Sequence, residues 1–121
     1  MTSWTKWDQM PWEEVKENIS RKVVMGDKMM MVLYRFDASQ EWPEEEHEAT
    51  QGGYIIKGKI LLRLPEEDQE MVLGPGDGYL IESYKRHSWK VLDEEVVLVD
   101  FFSPPRKELM KERFAPDAVN R

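Results

Sequence analysis

The octapeptide EEEHEATQ, Glu44 to Gln51, sets one of the chain's two histidines among carboxylates and follows it with an amide. Glu45, His47 and Gln51 share parity, so an extended backbone from Glu45 to Ile55 would project all three to one side, together with Ala49, Gly53 and Ile55. Small and apolar companions suit an interior face. The second histidine lies in YKRHSWKVL, where His87, Trp89 and Val91 share a face. Two neutral imidazoles, one carboxylate and one amide oxygen would suit a borderline divalent metal: Zn, Ni, Mn, Fe or Co. The same acidic run also reads as a solvated turn with a surface histidine, and parity alone leaves both readings open. A further candidate is Asp100. In EEVVLVDFF it shares a face with Val96, Leu98 and Phe102, and a carboxylate on an apolar face is costly unless it is paired or working. Asp100 is thus a candidate for proton transfer; the alternative is a strand end paired with Arg106 at the surface. Phe102 reads most simply as core.

These residues need elements to hold them. KMMMVLYRF, the segments on either side of Gly58 in QGGYIIKGKILLRL, then EMVL, YLIE, HSWKVL and EEVVLVDFF are strand-like, separated by Gly, Pro and acidic turns at the spacing of an all-β barrel or sandwich. MPWEEVKEN reads as a short helical turn, with Pro11 near its start and acids after it. SPPRKELMKERF ends the last strand at its prolines and offers RKELMKERF as a terminal helix. A chain of 121 residues makes one domain, divided as an arm (1–20), a barrel (21–103) and a tail with a short helix (104–121).

Composition excludes several functions. Hydrophobic residues at 40% supply a core, and the absence of cysteine rules out disulfides and thiolate chemistry. A net charge of −7 disfavours phosphate backbones and anionic lipid. Nucleic acid and membrane are therefore not expected as partners. No leader-like or spanning apolar run is present, so a cytoplasmic location is expected.

The pattern resembles the cupin family. Its first motif (G, five residues, H-x-H, three or four residues, E, six residues, G) matches in spacing from Ser39 through Glu45, His47 and Gln51 to Gly58. Its second (G, five residues, P-x-G, two residues, H) matches from Gly76 through Glu82 and Tyr84 to His87. His47, Gly58, Gly76 and His87 keep the family's residue types. WEEVKENISRKVV, MMMV, QGGY and DFFSPPR are similar to the small single-domain cupins of pectin and alginate breakdown, the KdgF type. That resemblance implies a single-domain jelly-roll β-barrel. It implies a metal on His47, Gln51 and His87, with Glu45 at the position of the family's first His, and a catalytic cluster of Asp100, Phe102 and Arg106.

The activity it implies is linearisation of 4,5-unsaturated monouronates to 4-deoxy-5-keto uronates. Asp100 would move a proton, Arg106 would clamp the uronate carboxylate, and Phe102 would wall the pocket. Lys57, Arg35 and Arg63 are weaker candidate cations, and Trp89 and Tyr84 candidate sugar-stacking aromatics. The expected partners are an anionic sugar and a second copy of the chain, meeting through Trp4, Trp7, Trp12 or the PP-containing tail. A non-catalytic cupin that binds a metal or small molecule, or another cupin enzyme such as an Fe dioxygenase, stays open.

Overall fold

The computed structural model describes residues 4–111. Ten strands run in order: β1 (Glu13–Lys16), β2 (Ile19–Met25), β3 (Met30–Phe36), β4 (Glu41–Glu45), β5 (Thr50–Lys57), β6 (Ile60–Leu64), β7 (Gln69–Leu73), β8 (Gly78–Ile81), β9 (His87–Val91) and β10 (Val96–Ser103). Their ladders make two antiparallel sheets, β1-β2-β3-β10-β5-β8 and β4-β9-β6-β7. The all-β expectation holds in this two-sheet, jelly-roll-like form; the ladders do not join into one closed barrel.

Alternation makes one face of each sheet the core. Along β10, Val96, Leu98, Asp100 and Phe102 are buried while Val97, Val99 and Phe101 are half-buried. Register places Leu98 between Tyr34 and Ile55, and Asp100 between Val32 and Gly53. Phe36, Trp42 and Trp89 add an aromatic cluster, with the two indoles stacked at 5.9 Å and Phe36 edge-on to Trp89 at 4.5 Å. Each fully buried Val, Leu, Ile or Phe contributes about 1.5–3 kcal/mol, so this interior can carry a few polar side chains. Gly58 has φ +80° at the β5–β6 turn, and a Cβ there would meet Glu95 O at 2.3 Å. That contact explains why the turn needs a glycine.

Three expectations change. Of MPWEEVKEN, residues Glu13–Lys16 form a strand, not a helical turn, and strand pairing begins ahead of residue 21. The helical signal was local, Pro11 and paired acids, and cross-strand pairing with β2 overrides it. A short 3-10 turn lies earlier, at Trp7–Gln9. At the other end, Lys107–Lys111 form a 3-10 turn, and the rest of the expected helix lies outside the described residues. Among the three N-terminal tryptophans only Trp4 is exposed; Trp12 is half-buried against Lys22 and Arg35, whose charges lie 4.5 and 4.3 Å from its ring. Among the described residues no helix is long and apolar enough to cross a membrane.

Candidate metal centre

The expected continuous strand from Glu45 to Ile55 is not what brings the ligands together. β4 ends at Glu45, in register with His87 of β9, and β5 starts at Thr50 in the other sheet. Residues 46–49 turn the corner between sheets, with Ala49 buried. His47 sits on that corner. The loop is tied down by the Tyr84 amide, which donates to His47 O at 2.7 Å. Glu45 and His87 thus come from the small sheet, Gln51 from the large one and His47 from the crossing between them.

Hydrogen bonds fix which atoms face inward. His47 Nδ1 lies 2.8 Å from Ala49 O and His87 Nδ1 lies 2.8 Å from Lys85 O. A carbonyl only accepts, so both Nδ1 atoms carry a proton, and in the neutral imidazoles both Nε2 atoms present a lone pair. Gln51 Nε2 donates to Asp100 Oδ1 at 3.1 Å, which turns Gln51 Oε1 toward His47 Nε2 at 3.2 Å. Two lone pairs then face each other. Glu45 Oε1 lies 3.7 Å from His47 Nε2 and 3.6 Å from His87 Nε2. His87 Nε2 is buried with no hydrogen-bond partner.

Acceptors this close, one of them orphaned, repel one another unless a cation lies between them. Burial, together with the Arg106 charge, lowers the His47 pKa against the opposing pull of Glu45, so a proton on His47 is disfavoured as that cation. Donor atoms around a four-coordinate ion with bonds of about 2.0–2.2 Å stand about 3.3–3.6 Å apart, close to the spacings here. The second shell is also present: each imidazole is oriented by a carbonyl and the amide by a carboxylate. The residues present fit a divalent metal. Among the described residues Glu45, His47 and His87 form the one His and carboxylate cluster compact enough to hold an ion.

Asp100 lies beside this cluster, buried, accepting on Oδ1 from Gln51 and from the Tyr79 hydroxyl at 2.6 Å. Burial raises its pKa to about 6, against the opposing effect of those two donors. Tyr79 reaches it across Gly53, the register partner of both residues; a Cβ on Gly53 would lie 2.0 Å from the Tyr79 ring. The surface alternative for Asp100 is therefore overturned, and its partner is not Arg106.

Arg106 instead donates from Nη1 to Glu45 Oε1 at 3.1 Å and from Nε to Glu108 Oε2 at 3.0 Å, with its guanidinium 5.1 Å from the Phe102 ring. Burial would raise the Glu45 pKa, but the charge and hydrogen bond of Arg106 oppose it and help hold it down at about 2. Arg106 is raised in turn, with the Glu45 and Glu108 charges outweighing burial.

Tyr34, Trp42, Gln51, Asp100, Phe102 and Arg106 line a chamber of ≈ 10 Å³ beside the cluster, room for about one water. Trp89 also lines it, whereas Tyr84 is 60% exposed and is not among its walls. Lys57 and Arg63 pair with Glu95 and Glu70 at the surface, and Arg35 covers Trp12; none of the three lines the chamber. Sequence reasoning missed Tyr34, Trp42 and Tyr79. Tyr34 shares parity with Val32 and Phe36 and was findable as an inward polar group. Behind it Arg21, fully buried and in register with Tyr34, pairs with Glu13 at 2.9 Å.

Residues 32–102 match the family model described as the cupin domain, more than half of the chain. The chain belongs to the cupin family. This cupin is 30% identical over 105 residues to the pectin degradation protein KdgF of Dickeya dadantii, covering 85% of the chain and 94% of that protein. The structure of KdgF from Halomonas sp. superposes with a TM-score of 0.83 at 26% identity, covering 90% of this cupin and 99% of that chain. An RmlC-like cupin from Shewanella frigidimarina gives 0.80 at 21% identity, over 89% and 96% of the two chains, a likeness of fold.

Proposed function

We propose that this cupin binds one divalent metal through Glu45, His47, Gln51 and His87 and opens the ring of 4,5-unsaturated monouronates. The observation that carries the reading is the compact cluster of Glu45, His47 and His87, with Gln51 Oε1 against His47, next to a buried carboxylate and a guanidinium. Similarity to KdgF, a protein of pectin degradation, supports the substrate class. When bound, the metal supplies Lewis-acid polarisation of a substrate oxygen.

The residues supply the rest. Ring opening removes the proton of the anomeric hydroxyl, breaks C1–O5 to leave an aldehyde at C1 and an enolate over C4, C5 and O5, and adds a proton at C4 to give the C5 ketone. No atom is gained or lost. A single acid–base group that takes one proton and returns one therefore suffices. Asp100, with a pKa of about 6, is matched to that exchange near neutral pH. Both of its hydrogen bonds go to Oδ1, so we assign the exchange to Oδ2. Arg106 meets the uronate carboxylate with its planar fork, and Phe102 and Trp89 exclude water around the reacting carbons.

The test is to incubate the protein with a pectate or alginate lyase digest and follow loss of the unsaturated-uronate absorbance. The wild type removes it; His87→Ala and Asp100→Ala each slow the reaction at least about 100-fold. A rate unchanged in both variants contradicts the reading.

A further inference from the structure

One carboxylate oxygen in this site has too many partners. Glu45 Oε1 accepts from Arg106 Nη1 at 3.1 Å and is also the atom that stands 3.6 and 3.7 Å from the two imidazole Nε2 lone pairs. Arg106 has one donor on each edge of its fork engaged, Nη1 by Glu45 and Nε by Glu108. An incoming carboxylate needs that fork for bidentate contact. While Nη1 holds Glu45, the end-on edge of the guanidinium is closed to a bidentate substrate carboxylate and the Glu45 charge already neutralises it.

The two holding carboxylates differ. Glu108 has a side chain 58% exposed, so its pair with Arg106 is cheap to break in water. Glu45 is 25% exposed and Arg106 9%, and their bond closes one wall of a chamber that admits about one water. The backbone of Arg106 is fixed, with its amide on Met30 Sδ at 3.1 Å and Leu109 buried one turn on. Its side chain is therefore the part free to move.

We propose that Glu45 is a positioning residue shared between the metal centre and Arg106: without a divalent cation its charge holds and neutralises Arg106, and a bound cation takes up that charge and frees Arg106 for a carboxylate. This rests on the assignment of Arg106 as the carboxylate clamp. A dication outcompetes a single guanidinium charge for the same oxygen, and the site then carries an excess positive charge that an anion can neutralise. Cation and anion consequently bind with positive coupling, each raising the affinity of the other by the same factor. Glu45 makes anion binding conditional on the metal.

The decisive experiment is done without metal or turnover. D-galacturonate, a saturated monouronate, is titrated calorimetrically into EDTA-treated wild type, Glu45→Ala, Arg106→Gln and the double variant. Glu45→Ala is expected to bind roughly tenfold tighter than wild type, and the gain is expected to vanish in the Arg106→Gln background. Binding of galacturonate with no gain in Glu45→Ala overturns the proposal. An equal gain in the Arg106→Gln background also overturns it, because general charge and not Arg106 would then be responsible. Glu45→Gln, which keeps side-chain volume, is expected to shift affinity in the same direction.

A second readout needs no sugar. Phenylglyoxal labelling of Arg106, quantified by mass spectrometry, is expected to rise in Glu45→Ala and in metal-loaded wild type, with Arg35 unchanged as the internal control. Labelling that does not rise in Glu45→Ala overturns the release of Arg106. If labelling rises while galacturonate binds none of the proteins, release stands and the carboxylate-clamp assignment fails.

Discussion

Asp100 sets stability against the proton transfer proposed for it. Its ordinary value of 3.8 is raised to about 6 by burial. The folded pKa lies above the unfolded one, so ionising Asp100 destabilises the fold: no cost below about pH 4, a growing cost between pH 4 and 6, and the full cost above. At about 1.4 kcal/mol per pKa unit, the full cost is on the order of 3 kcal/mol. Asp100→Asn in EDTA-treated protein should accordingly unfold at higher denaturant than wild type at pH 7.5, with the difference fading below about pH 4. Such a gain accompanied by lost turnover is the usual trade at a working site. Asp100 was legible in the sequence because a charge interrupts the apolar face of VVLVDFF. Its partners Tyr79 and Gln51 were not, since register across β10, β5 and β8 is not written in any one segment. The Glu45–Arg106 pair spans 61 residues and was hidden for the same reason.

Among elements, the corner between β4 and β5 and the row across Gly53 do most to shape the site. Equal parity of Glu45, His47 and Gln51 suggested a shared face, and the three do converge, yet the cause is a change of sheet between Glu45 and Thr50. A period-2 pattern cannot reveal a corner, because pairing partners decide where a strand ends. In the middle of β5, Gly53 lets the Tyr79 ring lie over the strand and reach Asp100. Gly53→Ala should push that ring aside and cost about 1–3 kcal/mol in chemical denaturation, and most of that cost should be absent when the same change is made in a Tyr79→Ala background. An unaltered midpoint for Gly53→Ala would show that the ring relocates freely. The first strand was misread for a different reason: in WEEVKEN only Val15 is buried, so no alternation was available to outweigh the helical cues.

At the scale of the molecule, the candidate ligands come from both sheets, so an ion held by them would tie the sheets together. A ligand that binds only the folded state at a hundredfold excess over its Kd adds about 2.7 kcal/mol. For a domain of this size the thermal midpoint should rise on the order of 10 °C with saturating metal, and the rise should be lost in His87→Ala. An equal rise in that variant would place the ion elsewhere. The fold class was legible here from strand spacing and motif texture; the division into two separate sheets was not, because it depends on which non-adjacent strands pair.

The most direct measurement is anomalous diffraction from crystals grown with Zn or Ni. The expected result is a single strong peak within about 2.0–2.3 Å of Glu45 Oε1, His47 Nε2, Gln51 Oε1 and His87 Nε2. A peak bound by only one of the imidazoles, or none between the two sheets at full metal loading, would contradict it.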